Sequence, residues 1–360
     1  MSILNNLKAL LLRGITKKKN IEFDIKKSSR VLMLRYDRIG DMVITTPVFR
    51  ELKKSYPNIE INVLASQANH IILKNNPYID NIYLNNKNNI FLDLPVLFKL
   101  RKQNFDVCFE FDHSVVRHAI IRLKIINPKK VISVEKAGRY GLHGSKLQIY
   151  DYYTEKPKNN HFRDIWLATL KPFNVIPESN KYDIFCDELQ KNKAIYFLNQ
   201  YPNKLLIGVN LEGAVKGKKI RHTELIDICQ GLYNINSNIQ IIIVSTPQKE
   251  QSVKEMIMNM RLDYVSIAYR TNNILDASAL INNLHLIITP DTAIAHIAST
   301  FNKPVITIHE NNYESYKLFA PTSDLNRTVF STNSKSLEGF SVESILVHAN
   351  DLIRLIKSER

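Results

Sequence analysis

Three stretches hold residues whose types and spacing suit chemistry on a phosphorylated substrate. The first, Asp37-Arg38-Ile39-Gly40-Asp41-Met42, follows the apolar run Val31-Leu32-Met33-Leu34 and opens a helical pattern. A carboxylate there can accept a proton, or it can cap the helix and meet its dipole, and for an Asp in such a loop capping is the commoner role. Gly40 is explained as a turn former. The loop lacks Gly-x-Gly-x-x-Gly, which argues against a dinucleotide cradle and so against a nicotinamide or flavin enzyme.

The second stretch is Thr289-Pro290-Asp291-Thr292-Ala293-Ile294-Ala295-His296. Pro at a turn followed by Asp-Thr at a helix start leaves the N–H groups of Thr292, Ala293 and Ile294 available to an anion such as a diphosphate. Capping by Asp291, with His296 satisfied one turn inside the helix, is the equal alternative. The third stretch, Asn210-Leu211-Glu212-Gly213-Ala214-Val215-Lys216-Gly217-Lys218-Lys219, has two glycines that admit a close approach and three lysines that offer point charges to phosphate oxygens. It is not a Walker motif, and a solvated lysine cluster explains it equally. Together the three suggest a nucleotide held by a second domain in an interdomain cleft, with a carboxylate on the first.

The elements that must position these loops alternate. Strands are expected at Val31–Tyr36, Ile59–Leu64, Asn81–Leu84, Asp106–Phe111 and Lys130–Val134, separated by helices at Val43–Ser55, Ala68–Lys74, Leu94–Lys102 and Val115–Ile125. Residues 136–160 read as irregular, and Pro172 and Pro177 mark a linker after a helix at Phe162–Leu170. Alternation resumes with strands at Leu205–Val209, Ile239–Ser245, Tyr264–Ala268, Leu284–Ile288 and Val305–Ile308, and ends in a helix at Val342–Ser358 that stays on the second domain or crosses back to the first. This is the pattern of α/β doubly wound parallel sheets in two domains, as 360 residues lead one to expect.

Hydrophobic residues at 44% and charged residues at 23% exclude a largely disordered or collagen-like chain. Cys108, Cys186 and Cys229 are isolated, so neither a disulfide framework nor a zinc knuckle is expected, and a reduced cytosolic compartment is the simplest reading. No stretch reaches the length of a membrane span. The net charge of +15 is uneven: residues 1–171 hold 30 basic and 15 acidic side chains, and residues 172–360 hold 19 of each. That field favours an anionic partner on the first half. Residues 1–20 add a basic amphipathic pattern, with Ile3, Leu4, Leu7, Leu10, Leu11 and Ile15 on one side, suited to an anionic membrane or to packing on the protein's own body.

The run Val31-Leu32-Met33-Leu34-Arg35-Tyr36-Asp37-Arg38-Ile39-Gly40-Asp41-Met42-Val43-Ile44-Thr45-Thr46-Pro47 resembles the opening signature of glycosyltransferase family 9, the bacterial lipopolysaccharide heptosyltransferases, and Thr289–Ala298 followed by Lys303-Pro304-Val305 resembles the second. The resemblance implies a GT-B fold, two Rossmann-like domains facing across a cleft. The residue pattern divides the chain into a basic amphipathic N-terminal extension over 1–29, a domain over 30–171, a linker region over 172–203, a domain over 204–340 and a terminal helix over 341–360, and the resemblance makes the first domain acceptor-binding and the second nucleotide-sugar-binding. The implied activity is metal-independent transfer of heptose, with inversion, from ADP-heptose to an inner-core lipopolysaccharide acceptor, with no cofactor beyond the nucleotide sugar.

By the same resemblance Asp41 is the catalytic base, and Gly213, Lys218, Asp291, Thr292, Ala293, Ile294 and His296 hold the donor, with Lys216 and Lys219 as rivals of Lys218. Arg38, Asp112, His113, Arg117 and Arg139 are candidate contacts to an anionic lipid-linked glycan, although a solvated polar face is the commoner role for any one of them. The implied location is cytoplasmic, peripheral on the inner face of the inner membrane. The sequence departs from the family at Ala293, where a glycine is usual, at Asn210-Leu211-Glu212-Gly213-Ala214, and at His309-Glu310 in place of Phe-Gly. These departures leave open a different nucleotide sugar or a protein or other glycan acceptor. Remoter readings are a non-catalytic relative, or a nucleic-acid binder suggested by the +15 alone, for which no recognised motif is present.

Overall fold

Short apolar runs such as Val31–Leu34 and Ile241–Val244 have no polar face to offer water, and in the computed structural model of the chain both are strands buried on both sides. The structure describes residues 3–18, 20–86, 90–136, 144–154, 161–211, 213 and 217–358. The chain divides into two units, Met1–Lys181 and Tyr182–Arg360.

Unit 1 runs α1 (Ile3–Ile15), β1 (Arg30–Leu34), α2 (Ile39–Ser55), β2 (Glu60–Ser66), β3 (Asn81–Asn85), α3 (Ile90–Lys102), β4 (Val107–Glu110), α4 (Arg117–Ile126), β5 (Lys130–Val134), β6 (Tyr152–Thr154) and α5 (Phe162–Leu167). Unit 2 runs α6 (Glu188–Leu198), β7 (Leu205–Asn210), α7 (His222–Ile235), β8 (Ile239–Val244), α8 (Glu250–Met260), β9 (Val265–Ile267), α9 (Ile274–Asn282), β10 (Leu286–Pro290), α10 (Ala293–Thr300), β11 (Val305–His309), α11 (Tyr313–Phe319), β12 (Asn326–Phe330) and α12 (Val342–Ser358).

Each unit holds a six-stranded sheet, ordered β3-β2-β1-β4-β5-β6 and β12-β11-β10-β7-β8-β9. Every neighbouring pair is parallel, with Val31 opposite Ile61 and Val107 in one sheet and Ile207 opposite Ile241 and Leu286 in the other. Counted within its own unit, each sheet has the order 3-2-1-4-5-6. The strand order therefore reverses between β1 and β4 and between β7 and β10, and in such sheets ligands bind outside the carboxyl ends of the strands at that reversal.

On one face of the first sheet, Leu32, Leu34, Cys108 and Val131 meet Leu12 of α1, Leu97 and Leu100 of α3, and Ile120, Leu123 and Ile126 of α4. In unit 2, Ile345, Ala349, Leu352, Ile353 and Ile356 of α12 join a single core with Leu225, Ile228 and Leu232 of α7 and the strands of the second sheet. The terminal helix thus belongs to unit 2.

Several elements differ from the sequence expectation. The stretch 172–203 contains α6, whose N-cap Asp187 accepts from the Gln190 N–H at 2.9 Å while the Gln190 side chain accepts from the Asp187 N–H at 2.9 Å. Its polar sequence Glu188-Leu189-Gln190-Lys191-Asn192-Lys193 hides the helix from a search by apolar period, although the capping box is legible. The stretch 136–160 contributes β6, with Tyr152 opposite Ile132. The expected helix at 68–74 is only a 3-10 turn over His70–Leu73. Two further elements, α11 and β12, were not foreseen.

Candidate active site

In unit 1 the chain leaves β1 and turns into α2, whose first turn carries Asp41. Of the two roles weighed for Asp41, the helix cap is visible in its contacts. One carboxylate oxygen, Oδ2, accepts from the Arg38 N–H at 3.2 Å, which closes the helix start. The other, Oδ1, lies 3.3 Å from Nη2 of Arg35. Arg35 also holds Asp37 at 3.0 Å and donates from Nε to the Asp41 carbonyl at 3.3 Å. Its guanidinium lies 3.9 Å over the ring of the buried Trp166, which stacks on Phe162. The planar fork thus braces two carboxylates with its flat face against an aromatic wall.

Farther along α2, Pro47 has no N–H for the Val43 carbonyl, and Thr46 Oγ1 donates to that carbonyl at 2.7 Å instead. Thr45 Oγ1 donates to the Asp41 carbonyl at 2.7 Å. The Thr-Thr-Pro sequence therefore ties down the helix turn that carries the carboxylate.

The loop after β4 opens at the same end of the sheet. Asp112 and His113 lie in it, and Arg117 begins α4. Burial pushes the His113 imidazole below its ordinary value; Asp41 opposes that push and Arg35 adds to it. Burial, then Glu110 and Asp37, push the Asp112 carboxyl well above the carboxylate range, with Lys136 opposing. Beneath Asp112, Lys136 forms a fully buried pair with Glu110 and also donates to the Asp112 carbonyl. Arg38 and Arg117 are exposed at this end. Arg139 lies outside the described residues.

In unit 2 the loops after β7, β10 and β11 meet. Asn210 Nδ2 donates to Thr289 Oγ1 at 3.0 Å and to Thr292 Oγ1 at 3.2 Å, joining β7 to the start of α10. Gly213 lies so close to Thr292 that a Cβ on it would stand 2.8 Å from Thr292 Cγ2, and its N–H donates to the Lys218 carbonyl at 2.9 Å. Lys218 Nζ sits between two carboxylates, 2.6 Å from Asp291 Oδ2 and 3.1 Å from Glu310 Oε2. Of its two rivals, Lys219 is exposed and Lys216 lies outside the described residues.

Thr292 is the N-cap of α10, and its Oγ1 accepts from the Ile294 N–H at 3.2 Å. The expectation that this amide is open to an anion is therefore corrected, because the cap hydroxyl occupies it. The amides of Thr292 and Ala293 donate to nothing among the described residues. His296 is 4% exposed, its ring edge-on to Tyr182, so it packs inside the unit.

Burial alone would raise Asp291, but His309, Lys218 and His296 hold it below the usual carboxylate range. Burial pushes His309 down to about 4, so at neutral pH the imidazole is uncharged and Lys218 is the cation beside Asp291. The cluster of Lys218, Asp291 and Glu310 then carries one negative charge overall, where the sequence suggested a basic loop. Two open amides at a helix N-terminus, a lysine and two carboxylates suit a diphosphate and a polyhydroxylated group bound together.

The neutral His309 has a measurable consequence. The unfolded imidazole titrates near 6.5 and binds a proton that the folded one refuses until about pH 4. Stability from this residue is complete above about pH 6.5 and drains away toward pH 4, by about 3 kcal/mol in all. Asp291, held low, loses its share only below the ordinary carboxylate value. Denaturant midpoints measured from pH 7 to 4 should fall steeply, and His309→Asn should flatten that fall.

Among the described residues no group of three His, Cys, Asp or Glu side chains is placed to hold a metal, and no helix is long and apolar enough to cross a membrane.

A family model for glycosyltransferase family 9 (heptosyltransferase) matches residues 99–347. Lipopolysaccharide heptosyltransferase 1 of Campylobacter coli is 22% identical over 350 residues, covering 91% of this chain and 98% of its own. Among solved structures, the family 9 glycosyl transferase of Veillonella parvula matches with a TM-score of 0.74 at 16% identity, over 92% of this chain and 99% of its own. The ADP-heptose lipopolysaccharide heptosyltransferase II of E. coli matches with a TM-score of 0.70 at 17% identity, over 92% and 100%. The two α/β units thus have the GT-B fold that the sequence led one to expect.

Proposed function

Because the chain belongs to glycosyltransferase family 9, the heptosyltransferases, we propose that it transfers heptose from ADP-heptose to the inner core of a lipopolysaccharide acceptor, with inversion at the anomeric carbon. Unit 1 supplies the base and receives the acceptor, and unit 2 holds the donor. Asp41 takes the proton of the acceptor hydroxyl as its oxygen forms the bond to the anomeric carbon. The bond from that carbon to the diphosphate oxygen breaks in the same step, so one displacement inverts the centre. The charge gained by the departing ADP is met by the amides of Thr292 and Ala293 and by Lys218. Asp291 and Glu310 accept from sugar hydroxyls. Arg38, Arg117 and Arg139 meet anionic groups of the acceptor, at the cytoplasmic face of the inner membrane.

The observation that carries this reading is the bracing of Asp41: a carboxylate at the strand reversal with one oxygen on an amide and the other against Arg35. ADP as the leaving group is supported by the E. coli neighbour, an ADP-heptose enzyme. Calorimetry with ADP, UDP and GDP tests it, with ADP expected to bind tightest and a preference for UDP or GDP counting against it. One feature favours a second reading in which the sugar differs: Glu310 sets an extra carboxylate on Lys218 where the family signature has Phe-Gly. A related hexose or a different surface glycan would then be the substrate.

A further inference from the structure

Helix α1 meets the body with an unexpected side. Its apolar stripe of Leu7, Leu10, Leu11 and Ile15 is 53%, 67%, 57% and 48% exposed, while Leu12 and Thr16, on the other side, are buried. Leu12 packs into the same core as α3 and α4, and Lys124 of α4 donates to the Lys17 carbonyl at 2.8 Å. The stripe is therefore held outward by contacts on the opposite side of the helix.

Helix α3 repeats the arrangement. Phe91, Leu92 and Phe98 are 76%, 62% and 53% exposed, while Leu97 and Leu100 are buried in the core that Leu12 joins. On α4, Ile121 is exposed beside the buried Ile120 and Leu123. All three helices cover one face of the first sheet, so their outer sides share one side of unit 1.

The charge on this side has one sign. The only acidic residue in the three helices is Asp93, which is fully buried and paired with Arg122 at 3.0 Å. Arg13, Arg101, Lys102 and Lys124 are exposed. An apolar surface whose three helices expose cations and no carboxylate is complementary to an anionic lipid bilayer: the side chains enter the headgroup boundary and the cations meet lipid phosphates.

We propose that the outer face of α1, α3 and α4 docks the protein on an anionic membrane, through Leu7, Leu10, Leu11, Phe91, Leu92 and Phe98. This deepens the reading above by naming the surface that brings the enzyme to a lipid-linked acceptor. Its primary readout, binding to vesicles, involves no donor.

The experiment is sedimentation with vesicles of phosphatidylcholine, with and without phosphatidylglycerol. The unaltered protein should sediment with the anionic vesicles and stay in solution with neutral ones. Leu10→Gln with Leu11→Gln should lower the bound fraction at least about tenfold, and Arg13→Glu with Lys102→Glu should remove the preference for phosphatidylglycerol. All four positions are exposed, so circular dichroism should be unchanged, as should transfer to a water-soluble core oligosaccharide. Equal binding by the unaltered and leucine-substituted proteins, or no binding at all, would overturn the proposal. So would a dimer in light scattering that the leucine substitutions dissociate, which would make the face a contact between copies. Vesicle binding without any transfer from ADP-heptose would leave the docking face standing and remove the reading of the reaction.

Discussion

Asp41→Asn should lower the transfer rate by about two to four orders of magnitude while leaving ADP affinity within about twofold. The asparagine keeps the volume, and its oxygen still accepts from the Arg38 N–H, so α2 starts as before. What it lacks is a site for the proton of the attacking hydroxyl. A helix cap alone predicts the reverse: activity per folded molecule holds and stability drops by about 1 kcal/mol. Arg35→Lys separates the two further. It keeps the charge but loses the fork that spans Asp37 and Asp41 and the flat contact with Trp166, so kcat should fall with little change in donor KM. A fall confined to stability would make Arg35 a packing residue.

Lys218→Ala should reduce kcat/KM by about 10² to 10³. Among the described residues the lysine is the one cation in contact with both Asp291 and Glu310, and removing it leaves two carboxylates facing the diphosphate. Most of the loss should appear in kcat, because the charge on ADP grows as the sugar departs. Glu310→Gln runs the other way. It removes one of the two carboxylates that hold Lys218, so ADP should bind several-fold tighter while stability changes by about 1 kcal/mol or less. If Glu310→Gln weakens ADP and Lys218→Ala leaves turnover intact, the diphosphate lies elsewhere.

Much of this was legible because it is local. The loop at Asp41 and the helix start at Asp291 and Thr292 each follow an apolar strand directly, so their place at a carboxyl end follows from alternation alone. Gly213 and Lys218 lie beyond β7 for the same reason. What escaped needs partners distant in sequence. Trp166 is 131 positions from Arg35, and nothing in either segment announces that they stack. The electrostatics of unit 2 differ from the basic loop the sequence suggests because Glu310, 92 positions from Lys218, reads only as a departure from the family pattern until the parallel pairing of β10 and β11 brings it there.

Burial direction was also hidden. The amphipathic pattern of α1 is plain, yet an apolar stripe ordinarily faces the core. Here Leu12 and Thr16 face inward, with Ala9 partly buried against the same core, and only packing shows it. The shared strand order of the two sheets escaped for a similar reason: alternation predicts parallel sheets but carries no information on which strand crosses to which side.

The most direct test of the central claim is the initial rate of transfer to a heptose-deficient inner-core acceptor with ADP-heptose, set against UDP- and GDP-sugars at equal concentration, with the product's anomeric configuration read by NMR. The account predicts turnover with ADP-heptose above all others, release of one ADP per sugar transferred, and an inverted anomeric centre. Faster turnover with a UDP- or GDP-sugar, or a product that retains the donor's configuration, would contradict it.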